Sequence, residues 1–316
     1  MRVLYIAMWF EALARLDDRS VATVALLWGA DPASLELVNH GINVVYRGKA
    51  HDRAIYLRFT HLALRDQEHL ALPVDFLCHA AACGAPVCTP LKSVNSRFIE
   101  EVWQGEDLFL ATAILGVPGQ PIDPAQAHAA LLHEWGYALG LLHTAAETYV
   151  QRLGTVSHHW ERQWAHIRPY LESDATLLAE YQAITAWTKT LPIVDFGLCH
   201  ADFRAANCLW DGERVWIIDF DEPTYCWFAY DMARALMEFS DLELEERRRK
   251  MEWLLKGYGT ARPFNPDPVL EMGWFVRMRT LLMYAWGFED GAGTNKLASG
   301  MGSGHYLERI RNPLVW

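Results

Sequence analysis

Apolar and polar positions change period along the chain, and each change marks an element. Residues 1–30 place apolar side chains at helical spacing. The apolar run Val3 to Phe10 is cut by Glu11 and Arg15 with no small-residue cleavage site after it, so an amphipathic helix is expected rather than a leader. The segments 35–41 and 43–48 then read as two strands with Gly41 in the turn, and 54–59, Ala-Ile-Tyr-Leu-Arg-Phe, as a third. Residues 62–83 predict a helix in which Pro73 must sit in the first turn or break it. Residues 97–103 and 107–113 predict two more strands across the turn Gln104-Gly105-Glu106. Five strands and one long helix describe an antiparallel-sheet lobe over residues 1–113.

Gly116-Val-Pro-Gly-Gln-Pro121 punctuates the chain as a linker. Beyond it the period is helical. Asp123 as N-cap and Pro124 at the first helical position open a helix through His143. Further helices are predicted over 174–190, over 241–256 behind Ser240 or Asp241, and over 266–286. One β-rich island interrupts them, Val215-Trp-Ile-Ile218, and 289–304 reads as a Gly-rich loop. The expected class is therefore α+β, with a mainly helical lobe over residues 114–316.

Composition narrows the partners. Among 316 residues, 28 Lys and Arg stand against 39 Asp and Glu, a formal charge of −11, which excludes the basic face of a general nucleic-acid binder and favours amine-bearing small molecules. No run of 18 apolar residues exists, so no membrane span is expected and a cytoplasmic location is. Cys78, Cys83 and Cys88 recur without the tight pairing of zinc ligands, and the six cysteines read as reduced, buried, apolar thiols rather than a metal site.

The chemistry concentrates in His200-Ala-Asp202-Phe-Arg-Ala-Ala-Asn207, followed by Val215-Trp-Ile-Ile-Asp219-Phe-Asp221. Phosphoryl transfer needs an acceptor hydroxyl aligned with phosphorus and cations across the phosphates. An Asp can orient the hydroxyl, an Asn five residues later can offer a neutral oxygen, and a carboxylate after the next strand can hold a metal from another side. Asp202, Asn207 and Asp219 make such a set. The hard oxygen donors suit magnesium, which keeps some of its waters.

These segments resemble the aminoglycoside phosphotransferase and choline kinase superfamily, the small-molecule relatives of protein kinases. The likeness lies in H-A-D-F-R-A-A-N at 200–207, I-I-D-F-D at 217–221 and W-F-A-Y-D-M-A at 227–233. Weaker traces are N-V-V-Y-R at 43–47, Y-L-R-F at 56–59, G-A-P-V-x-x-P at 84–90 and A-L-G-L-L-H at 138–143, so that it spans roughly residues 35–240 in the family's order. It implies a bilobal protein-kinase-like fold and a transfer of the ATP γ-phosphate to a small-molecule hydroxyl, with Mg2+. By this resemblance Asp202 is the catalytic carboxylate, Asn207 and Asp219 are metal ligands, and Asp221 is a further ligand, direct or through water. His200 buttresses the loop, and Asp231 accepts hydrogen bonds from the loop backbone. Arg58 stands where kinases carry a phosphate-binding Lys, Asn43 and Gly41 where a turn covers the phosphates, and Ile114 and Gly116 where backbone receives adenine.

Three departures stand out. Ala201 replaces the usual Gly after the loop His, which restricts φ. Arg204 and Ala206 stand where His and Gly are common. Pro73 falls where the family's helix carries the Glu that pairs with the third-strand cation, leaving Glu68 or Asp75 as substitutes. A catalytically weak nucleotide-binding relative is the competing reading if neither pairs with Arg58. For the acceptor, Trp227, Phe228, Tyr230, Glu238, Trp274, Tyr284 and Trp286 are candidate lining that would draw an ammonium group. Arg277 and Arg279 would instead take a carboxylate or phosphate. An aminoglycoside-like amino-alcohol is the leading acceptor, with homoserine-type, choline-type and protein Ser/Thr acceptors as alternatives.

Overall fold

A five-stranded antiparallel sheet is built from β1 (Glu36–His40), β2 (Val44–Ala50), β3 (Arg53–His61), β4 (Ile99–Gln104) and β5 (Asp107–Leu115), in the order β1-β2-β3-β5-β4. This computed structural model describes residues 13, 15–41, 43–149, 158–265, 271–289 and 303–313. Alternation along β3 sends Ile55, Leu57 and Phe59 into a core shared with Val44, Val102, Phe109 and Ala111. The same alternation turns Arg58 and the buried Thr60 to the opposite face. The β2–β3 register sets Arg58 opposite Val45, and the β3–β5 register sets it opposite Thr112.

Two helices accompany the sheet. The first, α1 (Asp18–Leu26), is capped by Asp17, whose carboxylate accepts from the Ser20 amide. The predicted helix over residues 1–30 is thereby shortened, and residues 1–12 lie outside the described ones. The second, α2 (Gln67–Ala82), carries Pro73 in its interior, neither in the first turn nor at a break. The lost hydrogen bond is offset because Pro73 is buried beside Leu70, Leu72, Phe76 and Leu77.

The chain divides into two compact units. One takes the described residues up to Gly119 together with Tyr149 and Trp216–Asp221, and the other takes the rest. The boundary thus falls after Gly119 rather than at 113, and the short I-I-D-F-D segment returns to the sheet unit. It does so by main-chain pairing: the Ile217 amide donates to Pro86 O at 2.7 Å, and the Cys88 amide to Ile217 O at 3.2 Å.

The second unit is mainly helical. Asp123 and Pro124 form only a 3-10 turn, and the helix proper, α3 (Ala129–Thr148), runs past His143. It is followed by α4 (Trp160–Ile167), α5 (Ala175–Thr188), α6 (Ala229–Leu236), α7 (Leu244–Ala261), α8 (Met272–Glu289) and α9 (Ser303–Arg311). The cap of α7 is Glu243, not Ser240 or Asp241. Helices α3 and α7 meet at their backbones. A Cβ on Gly136 would lie 1.9 Å from Leu254 O, and one on Gly257 1.8 Å from His133 O. Short strands β6 (Gln120–Pro121) and β8 (Cys208–Trp210) pair, as do β7 (Phe196–Cys199) and β10 (Thr224–Trp227), while β9 (Val215–Ile217) leads to Asp219. The loop that carries Asp202 runs from β7 to β8. Of the predicted 289–304 loop, residues 290–302 lie outside the described ones.

No helix among the described residues is long and apolar enough to cross a membrane. The six cysteines are free thiols, buried at Cys88, Cys199, Cys208 and Cys226 as expected, whereas Cys83 is exposed.

Candidate active site

The loop after β7 begins with a backbone held from below. Asp231, on the first turn of α6, is fully buried and accepts the amides of His200 at 2.7 Å and Ala201 at 2.8 Å. His143 of α3 bonds the same carboxylate at 3.2 Å and the Tyr258 hydroxyl at 2.9 Å, and it stacks on Phe228. Burial lowers the His143 pKa despite Asp231, so the ring is neutral. Ala201 adopts φ +67, the left-handed conformation for which the usual Gly is suited. His200 supports the loop directly, its Nδ1 accepting the Asp202 amide at 3.2 Å.

His143, Cys199 and Asp231 also form a group whose ligand atoms lie within 4.8 Å of one another. Asp231 uses both oxygens on loop amides and Cys199 faces the carbonyls of Cys226 and Trp227, so the trio is a support for the loop.

Asp202 is bound on every side. Its Oδ1 accepts Arg234 Nε at 2.9 Å and an Arg279 guanidinium nitrogen at 3.0 Å. Its Oδ2 accepts Asn207 Nδ2 at 3.1 Å and lies 3.3 Å from Arg204 Nε. Burial alone would raise this carboxyl, but Arg279, Arg234 and Arg204 outweigh it and hold the pKa down at about 2. The Asp202 side chain is 35% exposed while those of Arg234 and Arg279 are 6% and 4%, so a ligand can reach the carboxylate but not the two arginines behind it.

Arg279 is therefore not an acceptor-binding cation. It also donates to Ala201 O at 2.6 Å and Tyr230 Oη at 3.0 Å. Arg277 is likewise engaged, in a bidentate pair with Glu180 at 2.6 Å and stacked on Trp274. Trp227, Phe228 and Tyr230 are core residues at 0–2% exposure, not lining. Trp274 stacks on Trp187, and Tyr284 and Trp286 pack against Met283 and Tyr306. Glu238, partly buried, pairs with Arg234 at 2.9 Å and is the acidic side chain linked to Asp202 through that arginine. Aromatic periodicity signalled packing, and the acids and arginines that matter carried no spacing of their own.

The sheet unit holds the second group. Asn207 belongs with Asp202, whereas Asn43, Arg58, Ile114, Gly116, Asp219 and Asp221 all lie in this unit. Asn43 is buried, its Oδ1 accepting the Thr60 hydroxyl at 2.7 Å and its Nδ2 donating to Asp221 at 3.1 Å, so its side chain is committed inward. Arg58 is ion-paired with Asp221 and lies 3.8 Å from Asp219. The helix acids do not take the family Glu's place: Asp75 accepts the Tyr149 hydroxyl at 2.9 Å, and Glu68 is exposed in the first turn of α2. Ile114 pairs with Tyr56 within the sheet, and the Gly116 amide donates to Ala54 O at 2.8 Å, so of the Gly116 backbone groups expected near adenine the N–H is already used within the sheet unit.

Within each unit the oxygen donors suit magnesium unevenly. In the helical unit Asn207 directs its amide nitrogen at Asp202 and keeps a carbonyl oxygen as its hard donor, and in the sheet unit Asp219 presents a carboxylate that is 50% exposed. Asp221 does not fit, because Asn43, Arg58 and Arg65 surround it with donors and positive charge.

A model of the phosphotransferase enzyme family matches residues 34–264. Amicoumacin kinase of Bacillus subtilis (strain 168) is 24% identical over 281 residues, covering 85% of this chain and 84% of that protein. Homoserine kinase of Methylobacillus flagellatus is 25% identical over 231 residues, 70% of this chain and 69% of that one. Among solved structures, an amicoumacin kinase in complex with AMP-PNP and Ca2+ superposes with a TM-score of 0.84 at 22% identity, covering 96% of each chain. A microcompartment-associated aminopropanol kinase gives 0.74 at 20% identity, covering 93% of this chain and 95% of that one. The α+β architecture, antiparallel sheet followed by helices, is the protein-kinase-like phosphotransferase fold.

Proposed function

Since the chain belongs to the phosphotransferase enzyme family, we propose that it moves the γ-phosphate of ATP, with Mg2+, to a hydroxyl of an amine-bearing small molecule. The observation that carries this reading is Asp202, a reachable carboxylate clamped in one orientation by two buried arginines and by Asn207. Asn207 and Asp219 are the residues that would hold magnesium, which when bound would supply positive charge to the phosphates. Asp202 would accept a hydrogen bond from the acceptor hydroxyl and fix its line of attack. With a pKa of about 2 it is a poor base in the resting state, so the proton passes to it only as the oxygen–phosphorus bond forms.

Relatives named as kinases of amicoumacin, homoserine and aminopropanol support a small-molecule acceptor over a protein side chain. An amine-bearing acceptor is favoured over an anionic one because Arg277 and Arg279 are already engaged with Glu180 and Asp202, and the charge of −11 draws cations. Asp202→Asn tests the reading. ATP binding by calorimetry persists while phosphotransfer across a panel of amino-alcohols falls by about 10²–10⁴-fold; turnover within a few fold of the parent would reject the role.

A further inference from the structure

A line of buried polar groups runs from the support of the Asp202 loop to Arg262, the residue that ends α7. Both Asp231 oxygens serve the loop: Oδ2 accepts the His200 amide and Oδ1 the Ala201 amide, and His143 Nε2 lies 3.2 Å from Oδ2. The other ring nitrogen, Nδ1, meets the Tyr258 hydroxyl at 2.9 Å, and Arg262 donates to that same oxygen at 2.8 Å. All four side chains are buried. The end of the line sets the direction of every proton. A guanidinium has donors only, so Tyr258 Oη accepts from Arg262 and turns its single hydrogen to His143 Nδ1. A neutral imidazole that accepts at Nδ1 carries its proton on Nε2, the atom facing Asp231.

Arg262 is itself held by Glu147 and by Asp195, the latter at 2.7 Å, and the second Asp195 oxygen accepts the Asn265 amide at 2.7 Å. Asp195 takes a left-handed φ of +48 immediately before β7, the strand that leads into the loop. Charge around His143 is divided. Asp231 and Asp195 favour an imidazolium, whereas burial and the Arg262 guanidinium oppose it. The Tyr258 hydroxyl and the neighbouring Cys199 thiol are kept protonated by burial. An imidazolium would need an acceptor for Nδ1–H, and Arg262 keeps the Tyr258 hydroxyl turned as a donor.

We propose that Arg262 is a positioning residue for phosphoryl transfer: through Tyr258 it orders His143 as a neutral donor to Asp231, so that this carboxylate stays on the His200 and Ala201 amides and the loop keeps Asp202 in place. This rests on the phosphotransferase reading above and deepens it with a residue outside the loop. Replacing Arg262 by Met removes donor and charge together. Tyr258 is then free to turn and accept from His143, the ring charges on acidification, and the imidazolium competes with the two amides for the Asp231 oxygens. Adding Tyr258→Phe takes away the acceptor that the charged ring needs, so the two substitutions are coupled rather than additive.

The experiment joins two measurements on the full chain as the pH is lowered from about 8 to about 6, the range in which a histidine titrates. One is proton–nitrogen NMR of the His143 ring in protein carrying 15N-histidine; the other is phosphotransfer from ATP and Mg2+ to a panel of amino-alcohols. In the parent, His143 carries its proton on Nε2 throughout. In Arg262→Met a charged His143 appears at the acid end, and kcat there falls by about 10–10²-fold, the cost of a slightly misplaced catalytic group. The loss shrinks at the alkaline end, and the KM for ATP is unchanged. Arg262→Lys regains most of the activity, and Tyr258→Phe with Arg262→Met loses less at the acid end than Arg262→Met alone. A proton on Nδ1 of the parent ring, a loss in Arg262→Met that is the same at every pH, or a double variant worse than Arg262→Met would each overturn the assignment. If Arg262→Met does not fold, the parent spectrum and Tyr258→Phe decide: removal of the hydroxyl shifts the Nδ1 resonance toward that of an unbonded nitrogen, and an unmoved resonance overturns the proposal. A parent that transfers phosphate to no acceptor would defeat the phosphotransferase reading instead, and the His143 spectra would still decide the order of the line.

Discussion

A carboxylate that takes a proton in catalysis is commonly tuned toward the working pH; Asp202 is tuned away from it by the charges of Arg279, Arg234 and Arg204. Because its folded pKa lies below the ordinary 3.8, the fold favours the ionised form. That contribution to stability is complete above about 3.8 and fades as the pH falls through about 2. The pH profile of kcat/KM consequently carries no Asp202 limb above about pH 5. In Arg279→Met the limb moves upward by about 1–3, the influence of one adjacent opposite charge; a profile that stays superimposable on the parent's would show that the arginine does not set this ionisation. Spacing singled out Asp202 and Asn207, and the family resemblance singled out His200. The arginines were not so marked: Arg234, 32 positions away, reads as an ordinary helical cation, and Arg279, 77 positions away, reads as a cation for an anionic acceptor rather than as a partner of Asp202.

Helices in the second unit are placed by glycines as much as by apolar faces. Gly136 and Gly257 let α3 and α7 touch backbone to backbone, and any Cβ there would overlap a carbonyl. Gly136→Ala forces the helices apart at a cost of about 1–3 kcal/mol, lowering the melting temperature by about 2–4 °C for each kcal/mol. An unchanged melting temperature would contradict the close crossing. The same crossing sets His143 and Tyr258 in register on α3 and α7, and so reaches Asp231 and the loop it holds. Periodicity predicted α3 and the five strands, but stopped α3 at His143 because the residues beyond it, Thr144 to Thr148, lack a clear apolar stripe. Pro73 misled in the other direction: a local rule marks it as a breaker, whereas burial of the α2 face keeps the helix whole.

Charge acts at the scale of the whole molecule. If the acceptor is cationic as proposed, an excess of eleven acids would attract it and would repel an anionic nucleotide, and both effects would weaken as salt shortens the screening length to about 10 Å at 0.1 M. Raising NaCl should therefore lower kcat/KM for an amine-bearing acceptor by raising its KM, with kcat nearly constant. A kcat/KM insensitive to salt would show that the net charge plays no part in capturing the acceptor.

The amino-acid sequence alone determined the order of sheet and helices, the loop His200–Asn207 and the I-I-D-F-D turn, because the groups in each are near neighbours whose geometry follows from local backbone and spacing. The family resemblance marked Ala201 as a departure that restricts φ and Asp231 as an acceptor for the loop backbone; the φ of +67 at Ala201 came only with the structure. Tertiary structure decided which charges face one another. Asn43 and Asp221, 178 positions apart, meet only because β2 and the segment after β9 belong to one unit. Coulomb and hydrogen-bond energies depend on distance in space and on burial, and neither is written in spacing along a chain. For that reason the resemblance implies a metal ligand at Asp221, whereas the fold shows it ion-paired with Arg58 and Arg65.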